Sequence, residues 1–227
     1  MAPHFTQKTF SFLKSLSKNN NREWFNENKE QYETLVREPA LTFISDCGPK
    51  LEKCSPMFRA EAKKVGGSLM RVFRDTRFSK DKTPYKTNVG IHFRHEMGKD
   101  VHCPGYYVHL QPGQCFLGVG IWHPDSETLG RIRQAVADDP ATWKKVRDQK
   151  SFASQFQLSG DSLQRPPKGY DSEHPMIEDL KRKDFIAVAN IKDADVCKPD
   201  FLKATMKSFD NSKKFMEFLC NSIGLPF

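Results

Sequence analysis

The sequence contains no long hydrophobic run. Apolar stretches such as Phe185 to Ala189 are far too short to span a bilayer, and the N-terminus lacks the basic-then-apolar pattern of a secretory signal. None of the six cysteines belongs to a C-x-x-C pair, a pattern that zinc ribbons and thioredoxin-type motifs need. We therefore expect a cytoplasmic protein with reduced thiols and no membrane partner.

Familiar signatures of catalysis and cofactor binding are also missing. The sequence has no Gly-x-Ser-x-Gly nucleophile elbow, no P-loop, and no zinc-finger, RNP or Gly-x-x-Gly motif for nucleic acid. We therefore predict no cofactor. The same absences leave open whether the protein is an enzyme.

Positive charge is concentrated in one stretch. Residues 59–99 hold eleven Lys or Arg and four Asp or Glu, a surplus of +7, while the whole chain has a formal net charge of +8. The densest part is residues 71–88, here called the basic segment, in which cations alternate with aromatic and hydroxyl side chains. Such a segment is typical of a surface that receives an anion, most often a phosphate.

Hydrophobic periodicity predicts helices first, then strands, then mostly helices. The first helices are predicted over 6–17, over 22–37 after a capping box of Asn20 and Glu23, and from Pro39 with a bend or break at Gly48-Pro49. Predicted strands cover 69–74, 87–94, 106–111, 114–122 and 185–191, with a turn at Pro112-Gly113. Further helices are predicted from Pro124, from Pro140 and over 199–223.

This order is typical of an α+β protein. We predict a single domain over residues 1–227, because no linker-like tract divides the chain. Its central antiparallel sheet should have about four to six strands and be flanked by N-terminal and C-terminal helices. Gly118 and Gly120 share one face of a predicted strand, which predicts close approach by a helix or a ligand and a cost for Val at either position.

Four histidines and a cysteine fall within eighteen residues: His92, His95, His102, Cys103 and His109. A zinc site is conceivable there, because imidazole and thiolate suit tetrahedral zinc. The spacing matches no standard ligand pattern, however. We therefore predict no metal, and no change in melting temperature on chelation.

Six spaced motifs follow one another along the chain: Asn20–Phe25, Arg71–Asn88, Pro104–Tyr107, Gly118–Trp122, Gly169–Asp171 and Lys183–Phe185. In this order they resemble the motifs of a bacterial and fungal family classed as a domain of unknown function. The resemblance covers about residues 5–221. It implies a single compact domain whose strongest motif is the basic segment, and it carries over no activity.

The basic segment can be interpreted as an anion site. Arginine offers a planar fork for phosphate or carboxylate, while lysine adds point charge and hydroxyls add donors. The candidate ligand-binding residues are Arg71, Arg74, Arg77, Ser79, Lys80, Tyr85, Lys86 and Asn88. Asp75 is a candidate general base or an organiser of the arginines. On this interpretation the protein binds, or binds and acts on, a phosphorylated or otherwise anionic small molecule.

Three alternatives stay open. The segment could be an internal network in which Asp75 pairs with Arg77 and Asp81 with a lysine. It could also be a non-enzymatic surface for nucleic acid, with Phe73, Phe78 and Tyr85 stacking on bases. A structural or interaction protein without a ligand is the third. The sequence identifies neither the ligand nor the oligomeric state.

Overall fold

The computed structural model describes residues 2–98 and 102–227, which form one five-stranded antiparallel sheet with helices from both ends of the chain. The strand order is β1-β2-β3-β5-β4, and each neighbouring pair is antiparallel. The strands are β1 Val89–Arg94, β2 Gly105–Leu110, β3 Cys115–Ile121, β4 Gln157–Ser159 and β5 Phe185–Ile191. The predicted α+β fold is confirmed.

Helices precede and follow the sheet. Those before β1 are α1 Gln7–Lys18, α2 Arg22–Glu27, α3 Lys29–Tyr32 and α4 Glu38–Cys54, with a π-helical stretch over Glu33–Arg37. Those after β3 are α5 Ser126–Asp138, α6 Pro140–Arg147, α7 Lys150–Ala153, α8 Ile177–Leu180, α9 Asp193–Val196, α10 Phe201–Asn211 and α11 Lys213–Ser222. Across the described ranges, none of the helices is long and apolar enough to cross a membrane.

The β2–β3 hairpin sets the two faces of the sheet. Gly113 has φ +76° at the predicted turn, and the Gln114 N–H donates to the Gln111 carbonyl at 2.9 Å. Strand alternation buries Tyr106 and Val108 on the face that carries the helices, whereas Tyr107 and His109 of β2 lie half-buried on the opposite face.

The core joins the two ends of the chain. The Phe43 ring of α4 stacks on the Phe201 ring of α10 with centroids 5.4 Å apart. On the sheet, the ring centroid of Tyr106 lies 4.7 Å from that of Phe209 on α10. The N-terminal and C-terminal helices therefore share one apolar layer over the same face of the sheet.

Two predicted helices are shorter than expected. The helix predicted over 22–37 is interrupted at Asn28, whose side-chain amide donates to the Trp24 carbonyl at 2.8 Å. The helix predicted over 199–223 divides at Ser212, whose buried hydroxyl donates to the Phe209 carbonyl at 2.8 Å. In both cases a short polar side chain bonds to the backbone of the preceding turn.

Of the bend or break predicted at Gly48-Pro49, the break is wrong. Helix α4 continues through both residues to Cys54, although a proline ring crowds the preceding turn. Cys47 and Leu51 are buried on either side of Pro49. We attribute the continuity to this packing, because tertiary burial supplies most of a helix's stability in a protein.

Residues 69–74 do not form the predicted strand. They make two isolated bridges, from Leu69 to Ile91 and from Phe73 to Tyr85. From one bridge to the other, the first segment advances four residues, from 69 to 73, whereas its partner advances six, from 85 to 91. The two extra residues act as a bulge and prevent a continuous ladder.

Of the two β3 glycines, Gly120 is the one that another segment approaches closely, and that segment is strand β5. Gly120 has φ +122°, and an added Cβ would lie 2.1 Å from the carbonyl oxygen of Phe185 on β5. At Gly118 an added Cβ would lie 3.5 Å from the nearest atom, the Cβ of Tyr107, which is ordinary contact. The two positions therefore differ in the space around them, and the cost predicted for Val at either position stays a prediction.

Candidate functional site

The two ends of the basic segment are held together as a narrow antiparallel pair. The Arg74 N–H donates to the Pro84 carbonyl at 2.9 Å, and the Lys86 N–H donates to the Val72 carbonyl at 2.7 Å. Val72 and Tyr85 are buried. The residues between 74 and 84 therefore form a loop that projects from a fixed base.

Asn20 ties this base to the N-terminal helices. Its amide donates to the Tyr85 carbonyl at 2.9 Å and its carbonyl oxygen accepts from the Tyr85 N–H at 3.0 Å. The predicted capping box is wrong by one position, because Asn21 caps α2 by accepting from the Trp24 N–H at 2.9 Å. Asn20 instead provides hydrogen-bond partners for the backbone N–H and carbonyl of Tyr85, a residue that lies outside the strands of the sheet.

Arg74 is held by groups of the same loop. Its Nη1 donates to the Asp81 carboxylate and to the Thr83 hydroxyl, and the Thr83 N–H donates to Asp81 at 2.9 Å. The hydrogen bond from Arg74 lowers the pKa of Asp81 to about 2. This partly buried arginine is thus held in place by its own loop. The internal-network interpretation paired Asp81 with a lysine, and that pairing is wrong, because the partner of Asp81 is Arg74.

Arg77 and Asp75 form a second, exposed pair. The Arg77 Nε and Nη2 donate to the two carboxylate oxygens of Asp75 at 3.0 and 2.7 Å. These bonds lower the pKa of Asp75 to about 2. A carboxylate with so low a pKa is a weak proton acceptor near neutral pH, so the geometry favours the role of organiser over that of general base.

Three of the candidate cations form no salt bridge with any residue that the structure describes: Arg71, Lys80 and Lys86. Lys86 is half-buried, and burial, with a smaller contribution from Arg71, lowers the pKa of its ammonium. A partly desolvated cation next to a second cation gains more from an incoming anion than a fully solvated one does. Ser79 lies half-buried in the intervening loop.

A cleft of about 290 Å³ opens where the basic segment meets α2. Its lining comprises Arg22 and Asn26 from α2, and Phe73, Arg74, Thr76, Pro84 and Tyr85 from the basic segment. Of the predicted ligand-binding residues, Arg74 and Tyr85 belong to this lining. Arg22 and Asn26 escaped the sequence prediction, although Arg22 lies within the Asn20–Phe25 motif, Asn26 follows it directly, and the two share a face of α2 at helical spacing.

Asn88 lies apart from the cleft, at the start of β1. Its amide is 3.5 Å from Nδ1 of His109, which also lies 3.1 Å from the Tyr107 hydroxyl. Nε2 of His109 bonds to the side-chain oxygen of Gln111 at 3.1 Å. These hydrogen-bonded side chains lie on the face of the sheet opposite the helices.

The clustered histidines are directed to different partners. His95 is buried and bonds to the Pro226 carbonyl at 2.8 Å, whereas His109 bonds to Gln111 and His102 lies 3.1 Å from the Trp122 carbonyl. In the described part of the chain, no three His, Cys, Asp or Glu residues are grouped so as to hold a metal ion.

Comparison with known proteins places the chain in a family. A family model described as "Conserved hypothetical protein (DUF2461)" matches residues 8–218. No curated protein and no solved structure matches the chain. The match spans the N-terminal helices, the basic segment, the sheet and most of the C-terminal helices. The chain thus belongs to the DUF2461 family of conserved hypothetical proteins.

Proposed function

We propose that this protein binds a small molecule with a phosphate or other anionic group in the cleft between α2 and the basic segment. The observation that carries the proposal is the composition of the cleft. Arg22 and Arg74 line it from two different elements, and its described lining contains no Asp or Glu. Two guanidinium groups without a carboxylate between them favour an anion.

The position of Arg74 supports this function. Its bonds to Asp81 and Thr83 both use Nη1, so Nη2 and Nε can donate to another acceptor. An arginine that is already ordered loses little side-chain entropy when it binds a ligand. The Asn26 amide and the Thr76 hydroxyl supply neutral donors beside it.

The volume and the aromatic lining indicate the size of the ligand. A cleft of about 290 Å³ suits a phosphate with a small organic group rather than a long polymer. The Phe73 ring is half-exposed on its wall. Tyr85 is buried and stacked on Phe25 with centroids 4.0 Å apart, so its ring forms the base of the cleft. Arg71 and Lys86 would raise the local concentration of anions.

Calorimetry with inorganic phosphate and with adenosine monophosphate, at fixed ionic strength, tests the proposal. Each of Arg22→Ala and Arg74→Ala should weaken binding by about 1.5–3 kcal/mol, or roughly 10- to 150-fold, the value of a hydrogen bond to a charged group. Arg77→Ala should bind as wild type, because its pair with Asp75 lies outside the cleft. Exposed Arg165 provides a matched control.

Two results would count against the cleft. One is a wild-type protein that binds neither probe. The other is equal weakening by Arg22→Ala and Arg165→Ala, since a general loss of positive charge would then explain the effect.

Nucleic acid is the second candidate, and one observation favours it. The Phe78 ring at the loop tip is 94% exposed, and the Arg77 guanidinium lies 5.8 Å from its centroid. An exposed aromatic next to a cation is a suitable stacking platform for an unpaired base. Because Tyr85 is buried, Phe73 and Phe78 are the rings of this segment that could stack.

Salt dependence and one substitution separate the two functions. Binding to a single-stranded oligonucleotide should fall log-linearly with salt and should weaken in Phe78→Ala. Binding of adenosine monophosphate in the cleft should depend less on salt and should be unchanged in Phe78→Ala.

A further inference from the structure

A groove away from the basic segment opens where α5 and α6 meet α11. It has a volume of about 440 Å³, and its accessible wall is mostly apolar. Ala135 of α5, Val146 of α6 and Phe218 of α11 contribute to that wall. The groove differs in chemistry from the cleft beside α2, because it can bury a hydrophobic group rather than bind an anion.

The core holds the aromatic part of this wall in place. The ring centroid of Phe218 lies 5.1 Å from that of Trp143, which is fully buried. Phe218 itself is half-buried, so its ring rests on the core while it also lines the groove. An aromatic side chain that is already ordered loses little conformational freedom when a second ring packs against it.

The rim of the groove is negatively charged. Its described lining contains three carboxylates, on Asp138, Asp139 and Glu217, and one ammonium, on Lys214, which gives a net charge of −2. All four residues are exposed. The chain as a whole has a formal net charge of +8, so the groove attracts a cationic surface that most of the molecule would repel.

The loop of the basic segment has the complementary features. Phe78 is 94% exposed, the highest fraction among the large hydrophobic side chains that the structure describes. Arg77, Lys80 and Lys82 lie within four residues of it. The basic segment contains six cations and two aspartates, a net charge of +4. An exposed aromatic among cations that projects from a fixed base is suited to act as an interface anchor.

We propose that the protein associates with a second copy of itself head to tail, the Phe78 loop of one copy docking into the groove between α5, α6 and α11 of the next. The aromatic ring enters the apolar groove, and the loop cations face the rim carboxylates. The two surfaces are different, so every complex keeps one free loop and one free groove, unless the assembly closes into a ring. A single loop contributes a small interface, so the association is weak and depends on concentration.

Sedimentation velocity on protein freed of nucleic acid, over about 10 μM to 1 mM, tests this proposal. The mean sedimentation coefficient of wild type should rise with concentration. Phe78→Ser should weaken the self-association at least about tenfold, because the aromatic ring supplies the apolar surface that the groove buries. Val65→Ser is the matched control: it removes another hydrophobic side chain, 88% exposed and outside this loop, and should associate as wild type.

A second variant tests the groove. Asp138→Lys combined with Glu217→Lys changes the net charge of the rim from −2 to +2 and should weaken the self-association at least about tenfold. Both positions are exposed, and a lysine suits Asp138, the last residue of α5, so the fold should be kept. Asp139 is left unchanged because it caps α6. The control, Glu52→Lys with Glu173→Lys, adds the same charge at exposed positions outside the groove and should associate much more strongly than the groove variant.

Mixing the two defective variants distinguishes a head-to-tail contact from a symmetric one. Phe78→Ser keeps its groove and the groove variant keeps its loop, so the mixture should form 1:1 dimers and nothing larger, although neither variant associates alone. A mixture that stays monomeric would overturn the proposal. So would a wild-type protein that is monomeric over the whole concentration range, or a Phe78→Ser variant that associates as wild type.

Discussion

Each aspartate of the basic segment has its own arginine. Arg74 lowers the pKa of Asp81 to about 2, and Arg77 does the same for Asp75. In the unfolded chain both carboxyls should titrate near about 3.9. Because the folded pKa values are depressed, the stabilisation is complete above about pH 4 and is lost as the pH falls through about 2.

Carboxyl ¹³C titration can test this assignment. In Arg74→Ala the pKa of Asp81 should rise toward its ordinary value while that of Asp75 stays near about 2, and Arg77→Ala should do the reverse. Each variant therefore serves as the control for the other. If either substitution moved both aspartates equally, the loop would be one shared network and not two pairs.

The β3 glycines have different requirements. At Gly120, alanine would combine a φ of +122° with an approach of 2.1 Å to the Phe185 carbonyl, so we expect Gly120→Ala to lower the free energy of unfolding by about 2–4 kcal/mol. Gly118→Ala should change it by less than about 1 kcal/mol, because the added carbon makes ordinary contacts. Denaturant unfolding of both variants measures the difference, and equal losses would contradict it.

At the scale of elements, the junction between α2 and the basic segment depends on two adjacent asparagines with separate tasks. Asn20 bonds to both backbone groups of Tyr85, whereas Asn21 caps α2. Asn20 thus positions the basic segment against α2, where the cleft lies, and Asn21 stabilises α2 itself. Their substitution by alanine should therefore have similar costs and different local effects.

Asn20→Ala should lower the free energy of unfolding by about 1–3 kcal/mol, because two hydrogen bonds are lost. Asn21→Ala should cost about 1 kcal/mol, the usual value of an N-cap. Hydrogen exchange distinguishes the two: the Tyr85 amide should exchange faster in Asn20→Ala and at the wild-type rate in Asn21→Ala. Unchanged Tyr85 exchange in Asn20→Ala would show that the junction is held by other contacts.

At the scale of the whole molecule, helices from both ends of the chain lie over one face of the sheet. The Phe43 ring stacks on the Phe201 ring, and the ring centroid of Phe93 on β1 lies 6.2 Å from that of Phe209. These contacts connect segments far apart in the sequence. We propose from this shared core that residues 1–227 unfold as a single domain.

One transition is therefore expected in denaturant. Circular dichroism at 222 nm, which reports the helices, should coincide with tryptophan fluorescence, which reports Trp24, Trp122 and Trp143 in different parts of the chain. Separate midpoints for the two signals would indicate at least two units that unfold independently.

The sequence predicted elements well where the pattern is regular and local. β1 and the β2–β3 hairpin lie where alternation and the Pro-Gly turn indicate, and α1 covers nearly the range predicted for the first helix. Several helix boundaries were predicted wrongly where a side chain bonds to backbone. Asn28 and Ser212 bond to the preceding turn and Asn20 bonds to the distant Tyr85, and hydrophobic periodicity carries no information about such bonds.

The sequence by itself determined the α+β class, the location of the positive charge and the family, because these depend on composition, periodicity and ordered motifs. Only the tertiary structure decided which charges pair, since Arg74 reaches Asp81 and Arg77 reaches Asp75 by the path of the loop. It also brought Arg22 to the cleft and Phe218 to the groove between α5, α6 and α11. Hydrogen bonds and clefts are set by distances in space, and residues far apart in a sequence have no pattern that encodes those distances.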